Sequence, residues 1–247
     1  MIDLGAGAWV LLGVAAVVIG LSKTAVPASG TIAVAIFAAV LPARQSTGTI
    51  LLLLILADMI ALIAYRRDVN WRALVRLAPA VGVGILLGVA FLAVADDTAV
   101  TRVIGVILLV VVAFTLLRRR FGSAAASGRA PRVAAAAYGT LGGFATMVAN
   151  AAGPVMSMYF LAARMPVKEF LGTAAWFFAI VNISKVPFSV GLGLITPEGL
   201  LLDLVLAPIV VAAAIFGRWL APRLSQRLFE RLVVAATLFG ALYLLFA

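Results

Sequence analysis

Ten apolar segments, at about 8–21, 29–41, 46–65, 73–94, 99–117, 133–148, 153–163, 168–190, 199–219 and 228–246, leave this chain room for little except a membrane fold. About 20 apolar helical residues cross a hydrocarbon core about 30 Å thick, and six of the segments reach that length. The other four form two pairs, 8–21 with 29–41 and 133–148 with 153–163, each interrupted by proline, glycine and small polar residues. Such pairs read as re-entrant hairpins or broken helices. Backbone freed from a helix at membrane depth survives only against protein or a water-filled cavity. The first run has neither a basic leader nor a small-residue cleavage site, so it is read as a retained membrane segment.

Charge sets the orientation. Only 11% of the residues are charged and 65% are hydrophobic, which excludes an ordinary soluble domain. The net charge of +10 comes from arginines in short runs beside the apolar segments, such as Arg66-Arg67 and Arg118-Arg119-Arg120. That is the positive-inside pattern, and no nucleic-acid partner is expected. The basic stretch around residue 118 is cytoplasmic in this reading; Asp96, Asp97 and Glu198 fall outside, as do both termini. With neither cysteine nor histidine, disulfides, thiol chemistry, haem ligation and the usual zinc sites are removed. No Walker motif or phosphate loop is present, and no cofactor or metal is expected.

The chain divides almost in half. Residues 119–132, with Gly122-Ser123-Ala124-Ala125-Ala126-Ser127-Gly128 at their centre, read as a cytoplasmic linker between repeat 1 (1–118) and repeat 2 (133–247) of one membrane domain. The halves match in pattern: Gly30 with Gly153, Pro42 with Pro166, Gly48 with Gly172, Asp58 with Asn182, Pro79 with Pro208, Gly88 with Gly217 and Arg102 with Arg231. The loop after Asp58 is inside and its counterpart after Asn182 outside, so the expected fold is an all-α polytopic membrane protein of two inverted-topology repeats. Each repeat has an interrupted or re-entrant helix pair followed by three transmembrane helices. Inverted repeats with broken helices are a transporter architecture, with the binding site near the midplane.

Two of the three lysines, Lys23 and Lys185, lie within the apolar stretches, each near a proline expected to end the helix. An ammonium at the bilayer centre costs roughly 2.5–3.5 kcal/mol on insertion scales, so such a lysine defaults to a functional hypothesis. Snorkelling to an interface is the competing reading for both. Asn182 shares a helix face with Lys185. Asp58 reads as the only acid deep in an apolar segment, and three roles stay open for it: proton or sodium coupling, an ion pair that holds a lysine, and helix capping or packing. Trp176, Phe177 and Phe178 read as packing or cavity wall, Tyr65 and Trp71 as interfacial aromatics, and Gly82, Gly84 and Gly88 as a close-packing face.

Four motifs carry a resemblance: Gly20-Leu-Ser-Lys-Thr-Ala-Val-Pro-Ala-Ser-Gly30; Asn150-Ala-Ala-Gly-Pro-Val155 with Tyr159; Gly172-Thr-Ala-Ala-Trp-Phe-Phe178; and Asn182-Ile-Ser-Lys-Val-Pro-Phe188. Together they resemble the sulfite exporter TauE/SafE family over nearly the whole chain. The resemblance implies an anion permease of the bacterial inner membrane that exports sulfite, sulfoacetate and related anions. It also implies two homologous halves, each opening with a small-residue motif at a helix break. Where the commoner form has several consecutive glycines, this chain keeps only Gly30 and Gly153 among alanines, Ser29 and Pro154.

An anion crossing a bilayer needs positive potential and hydrogen-bond donors in place of its water. Helix N-termini at residues 29–31 and 153–155 supply unpaired N–H groups and the dipole. The expected substrate site is Ser22, Lys23, Thr24, Ser29, Gly30, Thr31, Asn150, Gly153, Ser157, Asn182 and Lys185, with Asp58 for coupling or ion pairing. The leading function is secondary transport of a small sulfur-containing or organic anion; a membrane-embedded enzyme and a non-transporting assembly factor are the alternatives. Without histidine, cysteine or a paired-carboxylate motif, an enzyme would have few candidate groups. The lipid bilayer and a small anion are the expected partners, with proton or sodium coupling and a homo-oligomer left open.

Overall fold

A computed structural model describes residues 4–100 and 130–225, with scattered positions between 102 and 110 and between 227 and 235. The expected segments at 99–117 and 228–246, and most of the linker, lie outside the described residues. Eight helices are described: α1 (Ala6–Thr24), α2 (Gly30–Val40), α3 (Ala43–Tyr65), α4 (Trp71–Val94), α5 (Ala130–Ala149), α6 (Ala152–Ala162), α7 (Val167–Gly191) and α8 (Pro197–Leu220). No strand occurs among the described residues. Five helices, α1, α3, α4, α7 and α8, are long and apolar enough to cross a membrane, so the chain is a multi-pass membrane protein.

Local sequence explains where the elements start. Pro42 and Pro166, aligned between the halves, stand at the N-caps of α3 and α7. Asn70 accepts from the Ala73 N–H to cap α4, and Thr196 accepts from the Gly199 N–H to cap α8, whose first residue is Pro197. α5 takes in residues 130–132 of the expected linker.

The interrupted pairs are less even than the sequence suggests. α1 continues past residue 21 to Thr24, and its 19 residues span about 28 Å at 1.5 Å per residue. α2 and α6 have 11 residues each, about half that reach. Each pair is therefore one long helix and one short one. Between α1 and α2 the chain takes a short 3-10 helix, Pro27–Ser29, which packs against α6. Between α5 and α6 it turns at Asn150, whose φ of 52° is left-handed, a conformation asparagine tolerates. The break expected at Pro187 does not occur, for α7 runs through it to Gly191. A membrane helix accommodates proline where neighbouring groups satisfy the carbonyl it frees, here that of Ile183.

Packing is reciprocal between the halves. α1 lies along α8 and α5 lies along α4, so the fourth helix of each half covers the first helix of the other. The close approaches repeat at aligned positions. A Cβ on Gly20 would strike Val210, and one on Gly143 would strike Val81; a Cβ on Gly217 would strike Thr24, and one on Gly88 would strike Met147. In lipid, helix association rests on such small-residue contacts. Of the glycine face expected on α4, Gly84 and Gly88 meet α5, whereas Gly82 meets nothing within 4 Å. The apolar core divides accordingly, one cluster among α1, α2, α3 and α8 and a larger one centred on α4, α5, α6 and α7.

Charges segregate to the two ends. Tyr65, Asp68, Lys168 and Arg218 line one groove. Trp71 packs tilted against Trp176 near the same end, ring centroids 5.0 Å apart, and Trp176 Nε1 donates to the Arg66 carbonyl. At the opposite end the Arg44 guanidinium donates to the carbonyls of Leu92 and Ala95, and its backbone N–H donates to Asp97.

Candidate functional site

Lys23 sits one residue from the end of α1 and is only 8% exposed, so it does not snorkel. Its Nζ lies 2.9 Å from Asp58 Oδ1, and its other neighbour is the Phe178 ring, 4.0 Å from Nζ to the centroid. Asp58 is fully buried on α3. Of its three open roles, the geometry displays the ion pair. Asn182 Nδ2 then donates to Asp58 Oδ2 at 2.7 Å, which joins α7 to the pair.

Lys185 completes a chain of contacts. It is 1% exposed, and its ammonium donates to the Thr146 carbonyl at 2.7 Å and Asn150 Oδ1 at 2.6 Å, with longer contacts to Thr146 Oγ1 and Asn182 Oδ1. Asn182 is thus a bridge, its amide nitrogen on Asp58 and its amide oxygen toward Lys185. Every acceptor around Lys185 is neutral. With all three groups ionised, the network holds two ammonium groups and one carboxylate, and the uncompensated charge belongs to Lys185.

Both helix breaks are tied to α3. Tyr65, at one end, donates through its hydroxyl to the Thr24 carbonyl at 2.9 Å. Thr47, near the other end, donates to the Val148 carbonyl at 3.1 Å, and its own carbonyl accepts from Asn150 Nδ2 at 2.9 Å. One helix, α3, therefore positions the end of α1 and the turn between α5 and α6.

The remaining expected site residues divide into engaged and open. Ser22 donates to the Ile19 carbonyl, Thr24 to the Gly20 carbonyl and Ser29 to the Val26 carbonyl, so three hydroxyls expected as free donors are turned back on their own backbone. Gly30 begins α2 against the Ser22 side chain, Thr31 is buried in the next position, and Gly153 is the second residue of α6. Ser157 Oγ is buried with no hydrogen-bond partner among the described residues. The contacts that bind the network together join Lys23, Asp58, Asn182, Lys185 and Asn150 and leave Ser157 aside.

Three participants escape a reading of the sequence. Thr146 is the aligned counterpart of Lys23, yet it serves as the principal seat of the Lys185 ammonium. Phe178, read as packing or wall, lies against a charge. Asp203 is a second buried acid, six residues beyond Pro197 on α8, which corrects the reading of Asp58 as the only one. Its signal in the sequence is the lack of a basic residue one helical turn to either side. No group of three or more acidic side chains that could hold a metal occurs among the described residues.

A family model described as sulfite exporter TauE/SafE matches residues 12–244, and the chain belongs to that family. No curated protein and no solved structure matches it.

Proposed function

We propose that this member of the sulfite exporter TauE/SafE family is a secondary transporter that carries sulfite, sulfoacetate or a related sulfonate out across the bacterial inner (plasma) membrane. The anion binds where the helix breaks of the two halves meet. One observation carries this reading: the Lys185 ammonium is buried among neutral oxygen acceptors with no counter-ion of its own. Uncharged partners satisfy its hydrogen bonds and leave its charge in place, and an anion supplies what they lack. The N-termini of α2 and α6, and the Ser157 hydroxyl, add donors in the same short helices.

The halves act as inverted repeats in this account, with the basic end cytoplasmic. The reciprocal packing of α1 on α8 and α5 on α4 supports it, as does the contact between the aligned residues Asp58 and Asn182. Lys23 and Lys185 reach the network from different helices. Lys23 comes from the first helix of its half and Lys185 from the third of the other. Each ammonium nevertheless lies between the first and third helices of its own half, because Lys23 meets Asp58 and Lys185 meets Thr146.

A thermal-shift panel tests the reading. An anion at 100 times its dissociation constant stabilises the folded state by about 2.7 kcal/mol. Sulfite and sulfonates are expected to raise Tm, whereas sodium, potassium and neutral sulfones of the same size are not. A panel in which no anion raises Tm contradicts the site.

A further inference from the structure

Asp203 has both carboxylate oxygens buried and without a hydrogen-bond partner among the described residues. The hydroxyl of Thr49, on the facing helix α3, is buried and unpartnered as well. Gly199, one turn before Asp203 on α8, brings the helices together here, since a Cβ on it would strike Thr49 Oγ1. Toward the helix ends lie Gln45 and Thr196, both half-exposed and in hydrogen-bond contact at 3.4 Å. Polar side chains thus mark the α3–α8 seam at Thr196, Gln45 and Thr49, and Asp203 is buried one turn beyond Gly199 on α8. The surroundings are otherwise apolar, with Ile50, Leu53, Leu202 and Leu206 in one buried cluster.

The charged groups on the packed elements are engaged or remote. α8 lies against α1 and α3. Lys23, the ionisable residue of α1, is paired with Asp58 of α3. Arg44 of α3 is bound to carbonyls of Leu92 and Ala95, and Tyr65 to the Thr24 carbonyl. On α8 itself Glu198 and Arg218 are exposed. No cation reaches Asp203 among the described residues, and an ionised carboxylate without donor or counter-ion is untenable in hydrocarbon. A metal ion is a poor occupant, since hard cations take about six oxygen ligands and the unpartnered set offers a carboxylate and one hydroxyl.

We propose that Asp203 is the proton-binding site of this chain, loaded through the seam from the end that carries Thr196. The inference rests on the transport reading above and assigns coupling to Asp203, leaving Asp58 to hold Lys23. Infrared spectra of the full chain in detergent test proton binding without any transport. A protonated-carboxyl C=O band that shifts in heavy water is expected in the wild type, lost in Asp203→Asn and displaced but kept in Asp203→Glu. In proteoliposomes, Asp203→Asn is expected to keep labelled-sulfite counterflow and to lose its acceleration by a pH gradient. A missing band in the folded wild type, a band untouched by Asp203→Asn, or a variant that still responds fully to the gradient overturns the proposal. Asp203→Glu decides the infrared arm if Asp203→Asn does not fold, an unmoved band in it counting against the proposal. A wild type that moves no anion sinks the transport reading instead, while the infrared result still decides whether Asp203 holds a proton.

Discussion

Asn182 donates to Asp58 Oδ2 at 2.7 Å, so the two residues that occupy the same position in the two halves of the chain touch each other. This contact joins α3 to α7. Around it the charge is uneven. With all three groups ionised, Asp58 neutralises Lys23, Asn182 is uncharged, and Lys185 is left positive.

The Lys23–Asp58 pair is expected to behave as a buried ion pair. Removing one partner leaves a buried charge unmatched, so Lys23→Met or Asp58→Asn alone lowers stability by about 3–5 kcal/mol. The double variant recovers most of that loss, because it removes both charges together. Thermal unfolding of the four proteins in one detergent closes the cycle. Additive losses in the double variant would contradict the pairing.

Lys185→Ala is expected to weaken sulfite binding on the order of 30-fold, equivalent to about 2 kcal/mol. Asn182→Ala disturbs both lysines, whereas Thr146→Val removes only a 3.2 Å contact and leaves the carbonyl at 2.7 Å in place. Binding should therefore fall in the order Lys185→Ala, Asn182→Ala, Thr146→Val. Isothermal titration in detergent gives the order directly.

Phe178 bears on Lys23 through its ring face. Phe178→Leu removes the ring quadrupole together with some apolar volume, and the cation–π part of its cost is expected to be about 0.5–2 kcal/mol in stability. In a Lys23→Met background the same substitution should cost less. An equal cost in both backgrounds would reduce Phe178 to packing.

Two aligned glycines test the packing of the halves. A Cβ on Gly48 would run into the Leu194 backbone and one on Gly172 into the Asp68 backbone, where no side chain can move aside. Gly48→Ala and Gly172→Ala are each expected to cost about 1–3 kcal/mol through forced displacement. Gly82→Ala meets nothing within 4 Å and should stay within about 0.5 kcal/mol of wild type.

Much of this was legible because apolar length and charge placement act locally. Length marked the described helices, and the interrupted motifs marked both breaks. Asp58, Asn182 and Lys185 could be singled out since an ionisable or amide group in an apolar run has few structural excuses. What escaped depends on partners distant in sequence. The ends of α1 follow from tertiary support, with Tyr65 holding the Thr24 carbonyl 41 residues away. Pro187 fails to end α7 because neighbours, not the residue itself, decide whether freed carbonyls are tolerated. Ser22, Thr24 and Ser29 looked like open donors, and only coordinates reveal hydroxyls folded back on their own helix. Asp203 escaped because it lies close to the start of its apolar segment, where a carboxylate reads as a solvated helix end.

The central claim is that the uncompensated Lys185 charge serves an anion that crosses the membrane. Labelled-sulfite flux into proteoliposomes, compared between wild type and Lys185→Ala at matched incorporation and matched Tm, tests it most directly. The account predicts saturable flux in the wild type and, at sulfite concentrations near the wild-type dissociation constant, flux close to that of empty liposomes in Lys185→Ala. Equal flux in the two proteins would contradict it.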